Sequence, residues 1–278
     1  MKRNDANTTR LGIGSYTYPW AVGMPGRRPD RPLTALDLLD KAVGLGVRVV
    51  QVCDNLPLDQ LSAAQRDELR QAAAQRGLAI EVGTRGIARD HLQRYLELAL
   101  YFRSPILRVV IDTAEHHPSL DEVVALLGPV RRDLEQAGVC LAIENHDRFT
   151  AAQFCEIVTR LDSPYVGICL DTVNSFGALE GPATVVTALA RWVVNLHVKE
   201  FVIQRVDHQL GFVLQGCPAG QGRLDVPWLL RELHAAGRTP NAIVEQWPAP
   251  EPSLEATLAK EDEWAAASVE YLRTLIKD

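Results

Sequence analysis

Four residues with metal-binding side chains each follow a short apolar run in the second half of this 278-residue chain. They are Glu144, Asp171, His197 and Glu245, and the runs before them are typical of buried parallel strands. The C-terminal ends of such strands converge on one face of a β/α protein, so residues far apart in sequence can meet there. Three carboxylates and an imidazole suit a divalent ion, and without a cation the carboxylates would repel one another. The pattern therefore predicts a metal site.

The elements that must position these residues alternate along the chain. Apolar runs predict eight strands, and apolar residues spaced by three and four predict eight helices between and after them. The predicted strands cover residues 11–16, 47–52, 78–82, 106–111, 139–143, 165–170, 193–198 and 242–245, and the predicted helices cover residues 34–45, 60–76, 90–102, 120–137, 151–161, 183–191, 226–236 and 254–276. This alternation predicts the α/β class and a (β/α)8 TIM barrel, with a single domain over residues 1–278.

Two stretches depart from this regular alternation, residues 19–32 and residues 200–223. Both follow predicted strands and therefore belong to the C-terminal rim, where the loops of a barrel build its site. Each is a candidate for a lid or for the subunit contact of a homo-oligomer.

The amino-acid composition limits the kinds of molecule that the protein can be expected to bind. A formal net charge of -6, with acidic residues spread along the chain, works against a broad nucleic-acid-binding face. The five cysteines include no C-x-x-C pair and are typical of a reducing compartment. The polar N-terminus lacks the apolar core of a signal peptide, and no stretch is long enough to span a bilayer. We therefore expect a cytoplasmic protein with no membrane or nucleic-acid partner.

The segments around the four candidate ligands also resemble a known family. Ile143-Glu-Asn-His146, Leu170-Asp-Thr-Val-Asn174, Leu196-His-Val-Lys-Glu200 and Val244-Glu-Gln246 are similar to the metal-site motifs of the sugar phosphate isomerase/epimerase superfamily, the xylose isomerase-like TIM barrels. Residues 220–230 resemble the family's G-x-G turn and the helix after it. The resemblance thus runs from the fifth strand to the end, whereas the first half matches only in its β/α alternation.

This resemblance implies one divalent ion bound by Glu144, Asp171, His197 and Glu245. Mn²⁺ is the first choice for the ion, ahead of Mg²⁺, Co²⁺ and Zn²⁺. A small carbohydrate substrate would complete the coordination through its carbonyl and a neighbouring hydroxyl. Ketose 3-epimerases of the family usually carry a histidine where this chain has Asn174, so their substrate does not transfer directly.

The expected chemistry is proton transfer next to the carbonyl. Glu144 and Glu245 could remove and return a proton on opposite faces of the substrate, and Lys199 could act as an acid. The leading hypothesis is therefore a metal-dependent isomerase or epimerase of a sugar or keto-sugar. A dehydratase of a keto-sugar or inosose is the alternative, and a non-catalytic sugar-binding barrel is a further one. A phosphodiesterase like endonuclease IV is a remote alternative, because that enzyme uses a three-metal cluster with several more histidines.

Five further residues are candidates for substrate binding. His146 shares strand parity with Glu144, and Asn174 follows Asp171 by three residues. Asp112 and Arg85 occupy comparable rim positions after earlier strands, and Trp247 could offer a flat apolar face to a sugar. For each residue a purely structural role is the competing interpretation, as a loop, capping or surface group. The pair His116-His117 is interpreted as a solvated turn.

Overall fold

A closed barrel of eight parallel strands forms the centre of the protein, and helices lie between the strands along the chain. The computed structural model describes residues 8–277. The barrel order is β1-β10-β7-β6-β5-β4-β3-β2, and β8 and β9 form a separate antiparallel pair. The predicted (β/α)8 TIM barrel is thereby confirmed, whereas a single domain over residues 1–278 stays a prediction. The strands are β1 Leu11–Gly14, β2 Val49–Val52, β3 Ala79–Arg85, β4 Ile106–Val110, β5 Cys140–Glu144, β6 Val166–Asp171, β7 Val193–Lys199, β8 Phe201–Arg205, β9 Phe212–Gly216 and β10 Asn241–Glu245.

The helices begin and end at residues whose chemistry favours a terminus. Thr34 begins the second helix by accepting a hydrogen bond from the amide of Asp37, and Gly46 ends it in the left-handed conformation at φ 67°. Gly77 and Gly138 end two later helices in the same way. The α-helices are α1 Pro19–Val22, α2 Ala35–Leu45, α3 Ala63–Arg76, α4 Arg89–Phe102, α5 Leu120–Leu127, α6 Arg131–Ala137, α7 Ala151–Leu161, α8 Pro182–Leu189, α9 Val226–Ala235 and α10 Leu254–Arg273.

Three local features differ from the sequence predictions. The single helix predicted over residues 120–137 is wrong, because a 3-10 turn, Gly128–Val130, separates α5 from α6 and Pro129 has no amide hydrogen to continue the ladder. The first strand ends at Gly14 rather than at residue 16, since Ser15–Thr17 form a 3-10 turn. Residues 200–223, predicted as irregular, contain the β8–β9 hairpin.

Strand register explains why the predicted ligands meet. Asp171 on β6 lies directly beside His197 on β7, and Glu245 on β10 lies directly beside Lys199 on β7. Because side chains alternate along a strand, His197 and Lys199 point to the same side of the barrel wall. Residues that follow different predicted strands thus lie next to one another at the C-terminal ends of β6, β7 and β10. Within residues 8–277, no helix combines the length and apolar character needed to cross a bilayer; the cytoplasmic location stays a prediction.

Candidate metal and active site

Three of the four predicted ligands, the carboxylates, surround an atom of the fourth, Nδ1 of His197. Oε1 of Glu245 lies 3.1 Å from it, Oε2 of Glu144 lies 3.2 Å away and Oδ2 of Asp171 lies 3.9 Å away. All four side chains are buried at the C-terminal ends of β5, β6, β7 and β10. The oxygen and nitrogen atoms are so close together that small movements would let all four residues coordinate a single divalent ion.

The hydrogen bonds of His197 leave the lone pair of its Nδ1 available to a metal ion. Nε2 lies 2.7 Å from the side-chain oxygen of Gln51, so the proton of a neutral imidazole belongs on Nε2. The lone pair of Nδ1 then faces the three carboxylates, and within the described chain Nδ1 has no hydrogen-bond partner. A buried lone pair facing negative oxygens is unfavourable, and a cation between them removes that cost. The residues present therefore fit a divalent ion.

The electrostatics of the site favour a positive charge at the same place. Burial lowers the pKa of His197, but the Glu245 and Glu144 carboxylates outweigh burial and raise that pKa above its ordinary value. The carboxylates thus attract a cation to Nδ1, whether a proton or a metal ion. Burial keeps Cys169, which lies close to Glu144 and His197, a neutral thiol by raising its pKa well above the ordinary value. The thiolate needed for a sulfur ligand is therefore disfavoured.

Arg108 is the main residue of the site that the sequence did not single out. It lies on β4, and its guanidinium Nε donates to Oε2 of Glu144 at 2.6 Å while Nη1 donates to Asp54 at 3.0 Å. Asp54 also accepts from the hydroxyl of Tyr16 and from the guanidinium of Arg85. Although burial raises the pKa of Glu144, the charges of Arg108 and His197 outweigh it and hold that pKa well below its usual range. The sequence did contain a signal for Arg108, because this arginine interrupts the otherwise apolar run of β4.

Lys199 bridges two of the predicted ligands. Its ammonium nitrogen lies 2.7 Å from Oδ2 of Asp171 and 2.9 Å from Oε2 of Glu245. Burial lowers the pKa of Lys199, but these carboxylates outweigh burial and hold it above its usual range. On the adjoining side, Asn174 donates from its side-chain amide to Oε1 of Glu144 at 2.9 Å. The predicted Lys199 and Asn174 are thus brought together with the four ligands.

A cavity of about 1020 Å³ opens above these residues. Lys199, Asn174 and Glu245 line its inner end, and Trp247 lies along its wall. The β8–β9 hairpin closes one side, where a Cβ added to Gly216 would come within 3.1 Å of the Trp247 ring. The rest of the wall includes residues the sequence analysis did not single out, among them Lys260, Trp264, Gln204, Gln215 and Gln221.

The other predicted contacts lie beside this cavity rather than in its wall. Asp112 binds the guanidinium of Arg148 at 2.6 Å, and Arg85 donates to the backbone oxygen of Asp112 at 3.1 Å. His146 lies 3.0 Å from the Asp147 carboxylate. A role for Asp112, Arg85 and His146 in substrate binding therefore stays a prediction. In the predicted turn, His116 lies 2.9 Å from the exposed carboxylate of Glu122.

Comparison with known proteins identifies the family. The family model described as the xylose isomerase-like TIM barrel matches residues 39–275. This chain belongs to that family. The resemblance that the strand-end motifs indicated is thereby confirmed, and the xylose isomerase-like match extends well into the first half of the chain, where the motifs gave no signal.

Two curated proteins are similar in sequence to this family member. A 3-oxo-isoapionate decarboxylase from Pectobacterium atrosepticum is 36% identical over 264 residues, which cover 95% of each chain. The uncharacterized protein YihM of Escherichia coli is 22% identical over 235 residues, which cover 82% of this chain and 69% of that protein.

Solved structures of the same barrel are more distant in sequence. A D-psicose 3-epimerase in the presence of D-fructose aligns with a TM-score of 0.73 at 15% identity, covering 97% of this chain and 100% of that one. A xylose isomerase-like TIM barrel protein from Mycobacterium smegmatis in complex with magnesium aligns with a TM-score of 0.69, also at 15% identity, covering 97% of this chain and 99% of that one. At these identities the similarity shows the fold alone.

Proposed function

We propose that this protein is a divalent-metal-dependent decarboxylase of a small, carbohydrate-derived 3-oxo acid. The observation that carries the proposal is that each of the two glutamates at the site is already paired with a cation. Glu144 binds Arg108 at 2.6 Å, and Glu245 binds Lys199 at 2.9 Å. The identity of 36% with a 3-oxo-isoapionate decarboxylase supports the same reaction class.

Paired glutamates are poor bases. A carboxylate removes a proton from carbon efficiently when its pKa is near the operating pH, and a neighbouring cation lowers that pKa. The pKa of Glu144 lies well below its ordinary value, because the charges of Arg108 and His197 outweigh burial. The pKa of Glu245 is also lowered, because the charges of His197 and then Lys199 outweigh burial. Decarboxylation needs no proton removed from carbon. It needs an acceptor for the electron pair of the breaking bond and an acid to deliver one proton.

The residues divide the reaction between them. Glu144, Asp171, His197 and Glu245 would hold the divalent ion, whose chemistry is to polarise the substrate's 3-oxo group and stabilise negative charge on its oxygen. When the bond between C1 and C2 breaks, CO₂ leaves and the electron pair of that bond moves into the enolate between C2 and C3. The Lys199 ammonium, at the inner end of the cavity, then delivers a proton to C2 and is reprotonated by water. An enolate carbon is a much stronger base than an amine, so this transfer is favourable despite the raised pKa of Lys199.

An isomerase or epimerase of a sugar or keto-sugar is the second candidate. The observation in its favour is that the Glu144 and Glu245 carboxylates lie at 3.2 and 3.1 Å from the same His197 nitrogen, so both reach one bound carbonyl compound. Loss of water, as in a dehydratase, is a variant of this chemistry. All of these reactions pass through an enolate or enediolate, and they differ in which bond breaks.

NMR spectroscopy separates the candidate reactions. The protein is incubated with Mn²⁺ and 3-oxo-isoapionate in D₂O, the reaction is quenched, the ion is removed, and spectra of the product and the remaining substrate are recorded. We expect release of CO₂, a product with one deuterium at C2, and no deuterium in the remaining substrate. Incubation with ketoses should leave them unlabelled. Deuterium at an inverted or neighbouring carbon of a ketose, with no CO₂ from the acid, would contradict the decarboxylase and support the isomerase or epimerase; loss of water would support the dehydratase.

Replacement of Trp247 by alanine should weaken substrate binding with little effect on the chemical step. The ring lines the cavity near Glu245 but carries no group that can take part in proton transfer. Loss of an aromatic contact of about 1.4 kcal/mol corresponds to a KM raised about tenfold at unchanged kcat. Trp228→Ala is the matched control, because Trp228 packs against the core from α9 and is not part of the cavity wall. Equal KM values for the Trp247→Ala variant and the wild type would contradict the assignment.

A further inference from the structure

A group of polar side chains lies inside the barrel, further toward the N-terminal ends of the strands than the proposed ligands. Gln51 on β2 is directly beside Glu81 on β3, and Asn195 on β7 is directly beside Asn241 on β10. Gln51, Glu81 and Asn195 are fully buried, at 0, 1 and 0% exposure. Polar groups at this depth are kept only when their hydrogen bonds are satisfied, so their orientation is strongly constrained.

Glu81 is the acceptor at the centre of this group. Its Oε2 accepts from the side-chain amides of Gln51 and Asn195, both at 3.0 Å, and its Oε1 accepts from the amide of Asn241 at 2.6 Å. Burial raises the pKa of Glu81, and the hydrogen bonds from the three amides act in the opposite direction by favouring the carboxylate. A carboxylate can only accept, so all three amides turn their nitrogen toward Glu81. Gln51 also donates to Oδ1 of Asn195 at 2.9 Å, and its side-chain oxygen accepts from the thiol of Cys53 at 3.4 Å. Glu81 is the one group in this set that fixes Gln51, Asn195 and Asn241 together.

The orientation of Gln51 decides which nitrogen of His197 carries the proton. With its nitrogen turned to Glu81, Gln51 presents its oxygen to Nε2 of His197 at 2.7 Å. That oxygen can only accept, so Nε2 must donate, and in the neutral imidazole, the form that binds a metal, Nδ1 keeps its lone pair. The lone pair faces the carboxylates of Glu144 and Glu245 at 3.2 and 3.1 Å.

We propose that Glu81 is a positioning residue for the metal: it orients Gln51, and Gln51 fixes His197 in the tautomer whose Nδ1 can bind a divalent ion. The inference rests on the metal site of the proposed function and names a residue that reaches the ion only through two others. Groups that orient a ligating histidine typically change metal affinity by about 10- to 100-fold when they are removed.

Glu81→Gln tests the chain of hydrogen bonds with little change of shape. An amide at position 81 can donate as well as accept, so Gln51 and Asn195, which are hydrogen-bonded to each other, both lose the acceptor that fixes them. They can then turn over together, and Gln51 can present its NH₂ group to His197. The proton then moves to Nδ1 and must be displaced before a metal binds. We expect Mn²⁺ to bind about 10- to 100-fold more weakly to this variant, measured by isothermal titration calorimetry on chelator-treated protein.

Glu261→Gln is the matched control. Glu261 is also a buried acid with two N–H donors, the backbone amides of Trp20 and Ala21, but none of its hydrogen bonds leads to His197. Its Mn²⁺ affinity should equal that of the wild type. A loss as large as that of Glu81→Gln would mean that any buried acid matters for general stability, which would overturn the inference.

The exchange of the two side chains, Gln51→Glu with Glu81→Gln, provides a rescue. The carboxylate introduced at position 51 accepts from Nε2 of His197 whatever the amide at position 81 does, so Mn²⁺ affinity should return to the wild-type value or exceed it. ¹⁵N chemical shifts of His197 in the metal-free wild type should place the proton on Nε2, and Glu81→Gln should shift that population toward Nδ1. Wild-type Mn²⁺ affinity in Glu81→Gln, or no recovery in the exchanged pair, would overturn the inference. If the wild type itself bound no divalent ion, the proposed metal site would fail instead.

Discussion

Replacing Lys199 with methionine is expected to lower kcat for decarboxylation by about 10²- to 10⁴-fold, the usual contribution of a positioned acid. Lys199 is the ammonium at the inner end of the cavity, and methionine keeps much of its length without an exchangeable proton. The substitution also removes the positive charge that lies 2.7 Å from Asp171 and 2.9 Å from Glu245. Mn²⁺ should therefore bind at least as tightly to the variant, because the two carboxylates lose a competing cation.

These two effects separate proton delivery from a structural role. Rates should be measured at saturating Mn²⁺, with Lys41→Met as the control, since Lys41 forms a surface ion pair with Asp262 away from the ligands. A kcat near that of the wild type in metal-saturated Lys199→Met would show that another group protonates the product. A loss of activity that appears at limiting Mn²⁺ and disappears at saturating Mn²⁺ would assign Lys199 to the metal site alone.

Arg108→Gln is expected to destabilise the metal-free protein by about 3–5 kcal/mol, as is usual when one partner of a buried ion pair is removed. Arg108 and Glu144 are only 2% and 1% exposed, and Arg108 also binds Asp54 at 3.0 Å. The variant would leave the buried Glu144 carboxylate without its guanidinium, whereas Asp54, at 19% exposure, keeps its ion pair with Arg85. Urea unfolding in the presence of a chelator measures the effect.

Divalent metal should reduce this loss, because the ion supplies positive charge beside Glu144. Comparing unfolding midpoints with and without Mn²⁺ therefore tests the pairing and the metal site together. The control is Arg160→Gln, which removes a surface arginine paired with Asp121 and Glu156 and should leave the midpoint unchanged. If Arg108→Gln unfolded at the wild-type midpoint in chelator, Arg108 would not neutralise Glu144 as described.

Strand-end residues were predictable because their signal is local. Each of Glu144, Asp171, His197 and Glu245 directly follows its own apolar run, and the rule that parallel strands end on one face needs no knowledge of register. The sequence signal for the break between α5 and α6 was also local. Gly128-Pro129 marked the interruption between α5 and α6, although the apolar spacing on both sides favoured one continuous helix.

Contacts across strands could not be predicted because they depend on register. Arg108 is 36 residues from Glu144, and nothing in either segment says that a guanidinium on β4 meets a carboxylate on β5. The same holds for Gln51 and His197, which are 146 residues apart. In sequence, Gln51 and Asn195 are merely polar residues within apolar strands, and their meaning appears only when the barrel closes.

These hidden contacts changed the chemical interpretation. The sequence presented Glu144 and Glu245 as a free acid–base pair, which favoured an isomerase or epimerase. The cations of Arg108 and Lys199 lie against those carboxylates and make them weak bases, which favours a reaction in which carbon dioxide, rather than a proton, leaves the substrate. The metal and the enolate are common to both interpretations.

The most direct test is the rate of CO₂ release from 3-oxo-isoapionate as Mn²⁺ is added back to chelator-treated protein. We predict no release above the uncatalysed rate without metal, and a rate that rises and saturates at one Mn²⁺ per chain. Asp171→Asn should need much more Mn²⁺ to reach any activity, because it weakens one of the four ligands. CO₂ release that is independent of added metal, or no release at saturating Mn²⁺, would contradict the account.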